Sequence, residues 1–486
     1  MAATIAENLT LLKSTKAGIK AAIEAKGVSN VGDKFSDYPA KIASIPTGGS
    51  TSGVSQWTGT VDRAGLTELG WSTTDIDNFQ ANVRWYDWQN SDYTVVDADK
   101  SITDISQYQD NKNVRYAKML DTSQGIDTRY MFSGCTNLTS IPALDTSQAT
   151  SMRFMFSSCS RLSSIPTLDT SKVTDMYYMF NGCTSLTTIP TLDTSQAFMM
   201  NSMFFGCTSL TTIPTLDTSQ ATNMESMFQD CTSLTSIPAL DTSKAIMMRY
   251  MFQNCTSLTT IPTLDTSQAT SMYNIFSGCS SLTTIPTLNT SKVTDMSRMF
   301  DGCTSLTSVP ALDTSQVTNM SSMFYDCTSL ASIPALDTSQ VTNMNGLFSN
   351  CSSLTSIPAL DTSQATSMSS MFQNCPSLTT IESIDFSSCT DTGYMFPSYY
   401  NYSKLTSIHV TGSISFSWTS QGFSSLPNLD FNSIKSILEA MNRCTNPETA
   451  KTMSFNSTMT DQDSQLTNLV SECNGKGWTI TGLTIN

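Results

Sequence analysis

A 24-residue periodicity dominates the sequence and limits what the chain can fold into. The segments CTSLTSVPALDTSQVTNM from Cys303, CTSLASIPALDTSQVTNM from Cys327 and CSSLTSIPALDTSQATSM from Cys351 repeat one pattern at one phase. Eleven cysteines keep this interval: Cys135, Cys159, Cys183, Cys207, Cys231, Cys255, Cys279, Cys303, Cys327, Cys351 and Cys375. A period in the twenties is typical of a solenoid in which each unit is one turn stacked on its neighbours.

A Met-Phe pair marks the extent of the repeat. It keeps the same phase from Met131–Phe132 to Met395–Phe396, with Ile275 and Leu347 as apolar replacements for the methionine. Twelve units therefore occupy residues 118–410, and the last of them is degenerate. Parallel stacking at ~4.8 Å per unit predicts a rod roughly 55–60 Å long.

The apolar positions of each unit predict a dry interior. In the unit that starts at Cys327 the interior positions are Cys327, Leu330, Ile333, Leu336, Val341, Met344, Leu347 and Phe348. The segment SLASI (329–333) is predicted to stack as a short parallel strand. Pro334 has no N–H, so the ladder should break there in each coil.

The repeat unit resembles the BspA-like leucine-rich repeat family of bacterial surface proteins, in the variant LDTSxVTxMxxMFxxCxSLTSI. This resemblance covers the whole repeat region. It implies a leucine-rich-repeat-type right-handed solenoid of about 12 coils with short parallel strands. It implies no single partner, since one fold serves many binding roles.

The cysteine column allows two interpretations. Identical side chains in stacked coils point the same way, so their Cβ atoms stay ~4.8 Å apart, beyond the ~3.5–4.5 Å of a disulfide. The spacing therefore favours free thiols that fill the core. A staircase of disulfides or metal ions is the alternative.

The aspartate of the LDTS motif recurs from Asp121 to Asp385. Stacked carboxylates ~4.8 Å apart raise the alternative of a calcium ladder. One unit carries Asn289 instead, which keeps the acceptor oxygen and loses the charge. The exchange favours a side chain that caps a turn by accepting backbone N–H groups.

The variable positions are more informative about function than the fixed ones. Aromatic residues and arginines crowd the two positions before the Met-Phe pair in the early units and give way to Ser, Asn and Gly later. Tyrosine and arginine are favoured at binding hot spots, which predicts a ligand-facing patch; an unconstrained solvent face is the alternative. The candidate residues are Arg129, Tyr130, Arg153, Phe154, Tyr177, Tyr178, Phe205, Arg249, Tyr250, Tyr273, Arg298 and Tyr325.

Residues 1–48 are predicted to form a helical attachment segment. Its apolar seam consists of Ile5, Leu9, Leu12, Ile19 and Ile23. A helix this short is marginal alone, so it should pair with copies of itself, consistent with a trimer, or dock on a partner. The segment IKAAIEAKGVSNVGDKFSDYPAKIASI resembles N-terminal segments of tailed-bacteriophage fibre and appendage proteins, which implies attachment to a virion.

The remaining regions flank the solenoid. Residues 49–55 read as a Gly/Ser linker, and residues 56–117 as a Trp-rich adaptor with two short helical stretches that cap the first coil. Residues 411–486 are predicted to form an α/β cap from the helices FNSIKSILEAMNRC and DSQLTNLVSEC and the strand GWTITGLTI. Carbohydrate binding by Trp418 or Trp478 is an alternative role for this region.

Composition argues against several classes of function. The net charge of -15 would repel nucleic acid and anionic membranes. No apolar run approaches the ~20 residues of a membrane span, and no secretory signal is evident at the start. His409 is the single histidine, which removes most catalytic triads and imidazole metal sites. We therefore expect neither an enzyme nor a cofactor.

Three functional hypotheses follow. The first is a structural bacteriophage fibre or appendage, exposed on the virion. Its N-terminus would bind other virion proteins and its solenoid a host cell-surface protein or glycan. The first alternative is a bacterial cell-surface adhesin with the same repeats. The second is a glycan depolymerase with paired carboxylates, although no pair stands out from the repeated column.

Overall fold

The computed structural model describes residues 128–141, 143–397, 399–418, 422–444, 451–461 and 463–486 and the backbone of four short upstream strands. Those strands are β1 (Trp57–Thr58), β2 (Arg84–Trp85), β3 (Thr94–Val96) and β4 (Val114–Ala117). β1 pairs antiparallel with β2, and β3 pairs parallel with β4. The predicted attachment helix, the linker and the two helical stretches of the adaptor lie outside the described residues.

The repeat units stack in register. Parallel bridges join residues 24 apart in an unbroken series from Ser151 to Asp391. Beside this series the N–H of Phe154 donates to the carbonyl of Tyr177 in the next coil, at 2.9 Å, and equivalent bonds recur from coil to coil. Because the bonds run throughout to the neighbouring unit, the region is a repeat solenoid.

A column of phenylalanine rings forms the centre of the core. Each ring of the Met-Phe pairs stacks on the ring of the next coil, with centroids 5.6–5.9 Å apart and interplanar angles of 3–15°. In the unit of Cys327 the predicted interior positions are buried, with one exception. Ile333 is only partly buried and lies at the margin of the core.

The continuous parallel ladder lies in a different part of the coil from the predicted one. Among the described residues of the repeat, the SLASI-type segment forms strands in the last coils, at β5 (Ser356–Ile357), β6 (Thr380–Asp385) and β7 (Ser407–Thr411). These three strands pair in parallel in that order. In the earlier coils the ladder runs through the residue that precedes a buried methionine, such as Asn343.

Proline accounts for this difference. Pro358 directly follows the two-residue strand β5, whereas the equivalent position one repeat later is Glu382, inside the six-residue strand β6. Glutamate has the N–H that proline lacks, and the strand extends past Glu382, although its pairing with β7 is irregular between Ile381 and Ile384. The interruption by proline stays a prediction that this comparison favours.

The LDTS column forms the turn that was predicted for it. Each aspartate Oδ1 accepts the N–H of the serine two residues later, for example Ser339 on Asp337 at 3.0 Å. Asn289 accepts the equivalent bond at 3.2 Å. The serine hydroxyl and N–H hold the pKa of Asp217, Asp241 and Asp265 below the ordinary value. The carboxylates therefore work as turn caps.

The neighbouring threonines tie this side of the coils together. Eight of the ten threonine hydroxyls from Thr146 to Thr362 donate to the carbonyl of the next coil's aspartate or asparagine at 2.7–2.8 Å, as in Thr170 to Asp193, whereas those of Thr314 and Thr338 do not. These threonines are buried. The stack is thus held by backbone bonds beside the methionine and by hydroxyl bonds beside the aspartate.

The cysteines are buried and free, which confirms their space-filling role. From Cys159 to Cys375 each Sγ also donates to the carbonyl of the phenylalanine 27 residues earlier, at 3.0–3.1 Å. Burial raises the pKa of Cys207 from 9.0 to about 12. These thiols stay protonated at neutral pH, so they are poor nucleophiles.

The C-terminal region contains two helices and a pair of strands. Helix α1 (Phe431–Asn442) begins after Asp430, whose side chain accepts the N–H of Ser433 at 2.8 Å. Strand β8 (Lys451–Met459) pairs in parallel with β9 (Trp478–Ile485), and helix α2 (Gln465–Gly475) lies between them in sequence. A short 3-10 helix spans Phe423–Ser425. Both helices and the closing strand confirm their predicted positions.

Helix α1 packs against the outer edge of β7. The N–H groups of Ile408 and Val410 donate to the hydroxyls of Ser433 and Ser436 at 2.9 and 3.1 Å. The ring of Trp418 lies 6.1 Å from that of Phe396, the last member of the phenylalanine column.

The two C-terminal tryptophans do not fit the carbohydrate-binding alternative. Trp418 and Trp478 are only 5% and 3% exposed, which leaves no open ring face for a sugar. Within the described ranges, no helix has the length and apolar character needed to cross a bilayer.

Candidate ligand-binding face

Four positions of each coil lie beside the parallel ladder, and we call them the display face. In one late coil they are Thr342, Asn343, Asn345 and Gly346, with the buried Met344 among them. The side chain of Asn343 accepts the N–H of Asn345 at 3.1 Å and so fixes the turn. The candidate residues except Phe205 and Tyr325 occupy the third and fourth positions of this face in other coils.

The fourth position of the display face is left-handed. Its φ lies between 54° and 62° in Tyr130, Phe154, Tyr178, Ser202, Ser226, Tyr250, Asn274, Arg298, Ser322, Gly346, Ser370 and Tyr394. Glycine adopts this conformation without strain, and bulky residues rarely do. The one available signal in the sequence is the absence of β-branched residues from this column. Several early coils therefore carry aromatic rings at a strained position.

The early coils hold an Arg–Tyr cluster, formed by Tyr130, Arg153, Phe154, Tyr177 and Tyr178. Phe154 is sandwiched between Tyr130 and Tyr178, with centroids 4.8 and 5.0 Å apart and interplanar angles of 11°. Tyr177 packs edge-on to Tyr178 at 4.3 Å. The stacked faces cover one another, so this column presents ring edges and phenol hydroxyls.

Arg153 is held in place by rings rather than by a carboxylate. Its guanidinium carbon lies 4.4 Å from the ring centroid of Tyr177 and 5.3 Å from that of Phe154. No carboxylate among the described residues forms an ion pair with it. Asp175 nearby is engaged in the turn, where it accepts the N–H of Tyr177 at 3.0 Å. The guanidinium is therefore preorganised to bind an external anionic group.

A second group lies three coils further on. The rings of Tyr250 and Tyr273 pack edge-on at 5.1 Å. Arg249 forms an ion pair with Glu225 of the preceding coil at 3.1 Å, so its charge is compensated. Burial, then the contact with Tyr273, raises the pKa of Tyr250, which keeps its hydroxyl protonated at neutral pH.

The other candidate residues are more scattered. Phe205 lies 6.4 Å from Tyr178 in a tilted contact. Arg298 lies 3.9 Å from Asp301, and Tyr325 is an isolated exposed side chain. Arg129 is exposed at the first described coil. The structure thus gathers the early candidates and separates the late ones.

Sequence reasoning missed a set of apolar side chains on the same face. Phe198, Ile246 and Met247 are 46%, 49% and 47% exposed, and Met199 is half-buried. They occupy the first two positions of the display face, which were not compared. The signal was available, because the other described coils carry threonine and then Ser, Asp or Asn there.

The display face offers ring edges, hydroxyls, a guanidinium and apolar side chains. Across the part of the chain that the structure describes, no three His, Cys, Asp or Glu side chains converge to hold a metal ion. The face is suited to non-covalent recognition of an elongated ligand.

The stacked coils, the parallel ladder and the leucine-bearing core define a leucine-rich-repeat type of solenoid. A family model described as "Mycoplasma protein of unknown function, DUF285" matches residues 100–209, 159–260, 187–280, 234–331 and 304–408. The matches together cover more than half of the sequence, and the chain belongs to the DUF285 family.

Several solved structures are similar. A leucine rich cell surface protein from Faecalibacterium prausnitzii is 20% identical, with 64% of this chain and 83% of that chain covered and a TM-score of 0.34. A leucine-rich repeat protein from Eubacterium ventriosum is 18% identical, with 70% and 92% covered and a TM-score of 0.36. The T. pallidum leucine-rich repeat protein is 23% identical, with 39% and 76% covered and a TM-score of 0.24. No curated protein matches the sequence.

Proposed function

We propose that this protein is a bacterial surface protein of the adhesin type, which binds a macromolecular ligand with the early coils of its display face. The observation that carries this proposal is the guanidinium of Arg153, which two aromatic rings hold without a carboxylate partner among the described residues. A fixed, half-buried guanidinium beside tyrosine hydroxyls is a common arrangement at binding hot spots.

The surface location is supported by the repeat unit, which resembles that of BspA-like surface proteins. The bacteriophage-fibre hypothesis receives no comparable support. The family match begins at residue 100, and none of the similar structures named above is described as a bacteriophage protein. We therefore prefer the adhesin to the fibre.

The proposed architecture has three parts. Twelve right-handed coils act as a rigid spacer that presents the display face. The α/β C-terminal region acts as a lid, because Ser433 and Ser436 accept the N–H groups of β7 that another coil would otherwise bind. The N-terminal region acts as the anchor, and its seam supports self-association.

The proposal includes no catalytic step. In the hypothesis of a depolymerase, two carboxylates must be free to act as acid and base or nucleophile. The aspartates of the LDTS column accept serine N–H groups instead, as Asp313 does at 3.1 Å. Their repeated turn contacts favour a structural role.

The location can be tested with an antibody against residues 411–486. We expect it to label the surface of intact bacteria that carry the gene and contain no phage. Labelling of purified phage particles, with none on phage-free cells, would favour the fibre.

The binding face can be tested by replacing Tyr177, Tyr178, Arg249 and Tyr250 with serine. Beads coated with this variant should attach to host cells at least about tenfold less than beads coated with the original protein, because hot-spot residues each contribute ~2 kcal/mol or more. A matched control replaces four exposed serines and asparagines of the late coils with alanine. Equal attachment of both variants would refute the binding role of these four residues.

A further inference from the structure

Two coils break the rule that the display face obeys elsewhere. The first two positions are Phe198–Met199 and Ile246–Met247 in these coils, which we call the apolar steps. In the other described coils from residue 150 to residue 391 the first position is threonine and the second is Ser, Asp or Asn. The two exceptions therefore coincide, position by position, in the same coils.

The exchange costs each coil hydrogen bonds that most other coils make. In six coils the threonine hydroxyl at the first position donates to the carbonyl of the preceding coil at 3.1–3.3 Å. Asp or Asn at the second position accepts the N–H two residues later at 2.9–3.1 Å. Phe198 and Ile246 have no hydroxyl, and the methionine sulfur is a weak acceptor. Exposed apolar surface replaces these bonds, and local rules broken without structural gain indicate function.

The spacing of the apolar steps fits an extended peptide. Parallel bridges join Met199 to Asn223 and Asn223 to Met247, so the steps lie two coils apart. At ~4.8 Å per coil this separation is about 10 Å. A peptide in the extended polyproline-II conformation has three residues per turn and rises ~3.1 Å per residue, so its side chains three positions apart lie on one side at about the same spacing. The smaller polar pair Thr222–Asn223 separates the steps.

The charge of the face defines one end of the ligand. Tyr177, which carries the guanidinium of Arg153, belongs to the coil just before Phe198. Arg249, beside the second apolar step, is already paired with Glu225. One uncompensated positive charge therefore lies next to the first step and none next to the second, and an acidic residue of the ligand complements it.

We propose that the apolar steps and Arg153 dock an extended peptide segment with an acidic residue and two apolar residues three positions apart. The inference rests on the proposed function, because it assigns a ligand class to the same face. The spacing of the two steps sets the register of the peptide, and side chains three positions apart set the specificity, as in sites that bind polyproline-II segments.

The test uses the full-length protein and a fluorescein-labelled peptide, Glu-Gly-Ser-Leu-Gly-Ser-Leu-Gly-Ser. The variant Phe198→Thr/Met199→Asn/Ile246→Thr/Met247→Asn installs the residue types of the neighbouring coils, so it should fold. We expect this variant and Arg153→Gln each to weaken binding at least about tenfold in fluorescence anisotropy. The matched control Tyr399→Ser removes an exposed ring outside the display face and should leave binding unchanged.

Peptide controls test each feature of the ligand. Replacing both leucines with serine, or the glutamate with lysine, should reduce binding to the same extent. Absence of binding by the original protein, or equal binding by the quadruple variant, overturns the proposal. Binding of an oligogalacturonate in place of the peptide identifies a glycan site and also overturns it. So does a concentration-dependent dimer in sedimentation velocity that the quadruple variant abolishes.

The two proposals fail in different ways. One outcome is that the apolar-step variant still attaches to cells while the variant with serine at Tyr177, Tyr178, Arg249 and Tyr250 does not. In that case the proposed function stands and the peptide site is refuted. If neither variant changes attachment, both are refuted.

Discussion

The early and late coils of the solenoid share one core and carry different surfaces. The rings of Phe252 and Phe276 stack at 5.8 Å, and those of Phe324 and Phe348 stack at the same distance. Above this common core the early display face has aromatic, arginine and apolar side chains, whereas the late one has Ser, Asn and Gly.

The comparison separates folding from recognition within one chain. Most bonds that hold a coil are made by the backbone, the cysteine and the LDTS turn, and these recur in both regions. The display face can therefore change without changing the coil. The late coils act as an internal reference for what a coil needs, and the departures of the early coils from it define the proposed binding face.

Removal of a core ring should have the largest effect on stability, and it tests whether the early and late coils share the same core. Phe252→Ala and Phe348→Ala should each reduce the free energy of unfolding by about 3–5 kcal/mol, because both leave a large cavity. Urea denaturation followed by circular dichroism would measure both. A control, Tyr325→Ala, should change stability by less than about 0.5 kcal/mol. Clearly unequal losses would mean that the two cores differ.

Alkaline pH should destabilise both regions together. Burial raises the folded-state pKa of Cys207, Cys279 and Cys375 from 9.0 to about 12. Since the folded state holds its protons more tightly, this contribution is complete below pH 9 and is lost as pH rises towards 12. The thermal midpoint should fall over this range. A midpoint that is constant between pH 9 and 11 would contradict the buried thiol column.

Exchanging the apolar steps between regions should change stability in opposite directions. Thr342→Phe/Asn343→Met in a late coil removes two hydrogen bonds and should cost about 1–2 kcal/mol. The reverse change in the early coil, Phe198→Thr/Met199→Asn, should stabilise by a similar amount. Urea titration of both pairs measures the difference. Destabilisation by the early change would show that the steps pack for structural reasons.

The left-handed position provides a smaller test. Ser322 and Gly346 occupy it in adjacent coils, with φ of 54° and 62°. Ser322→Gly should stabilise and Gly346→Ala destabilise, each by about 1 kcal/mol, because glycine alone adopts this conformation freely. Thermal denaturation would resolve the two shifts. The two changes in stability should have opposite signs and similar sizes. A stabilising Gly346→Ala would contradict the left-handed backbone at this position.

The smallest expected effect is at the turn caps. Asp265→Asn should leave the thermal midpoint unchanged at pH 7, since Asn289 makes the same bond in another coil. Asp265→Ala should lower it by about 2 °C or less. The pKa of Asp265 is lowered in the folded state by Ser267, so its contribution is present above the unfolded pKa and is lost on acidification through the folded value. A large loss in the Asn variant would indicate a bound cation.

The repeat made the core predictable from the sequence. The equivalents of Leu330 and Phe348 are apolar in nearly every repeat unit. Positions that stay apolar through twelve units are predicted to face the interior. The turn at Asp337 was predictable because Asn289, at the equivalent position of another coil, keeps the acceptor oxygen and lacks the charge. The helices at the C-terminus followed from ordinary apolar spacing.

Other features depend on three-dimensional geometry that periodicity does not contain. The predicted position of the ladder was wrong. A short apolar segment such as SLASI (329–333) resembles a strand, but the proline that follows it, Pro334, has no N–H to donate to a ladder. The left-handed backbone at Tyr178 and the thiol bond of Cys159 depend on torsion angles and on which carbonyl lies nearby. Phe198 was missed because the candidate residues were taken from the third and fourth positions of the display face, and Phe198 lies at the first.

The regular hydrogen bonding between coils affects how the number of repeats in such a gene can change. Each coil donates some hydrogen bonds to the next unit, as Phe154 N–H does to Tyr177, and others to the preceding unit, as Thr174 N–H does to Thr150. If a whole unit is deleted or duplicated, every remaining donor meets an equivalent acceptor. Unequal recombination between repeats preserves the reading frame and yields a foldable product. Lineages can therefore vary the length of the solenoid by copy number, while point substitutions change the side chains that the early coils expose.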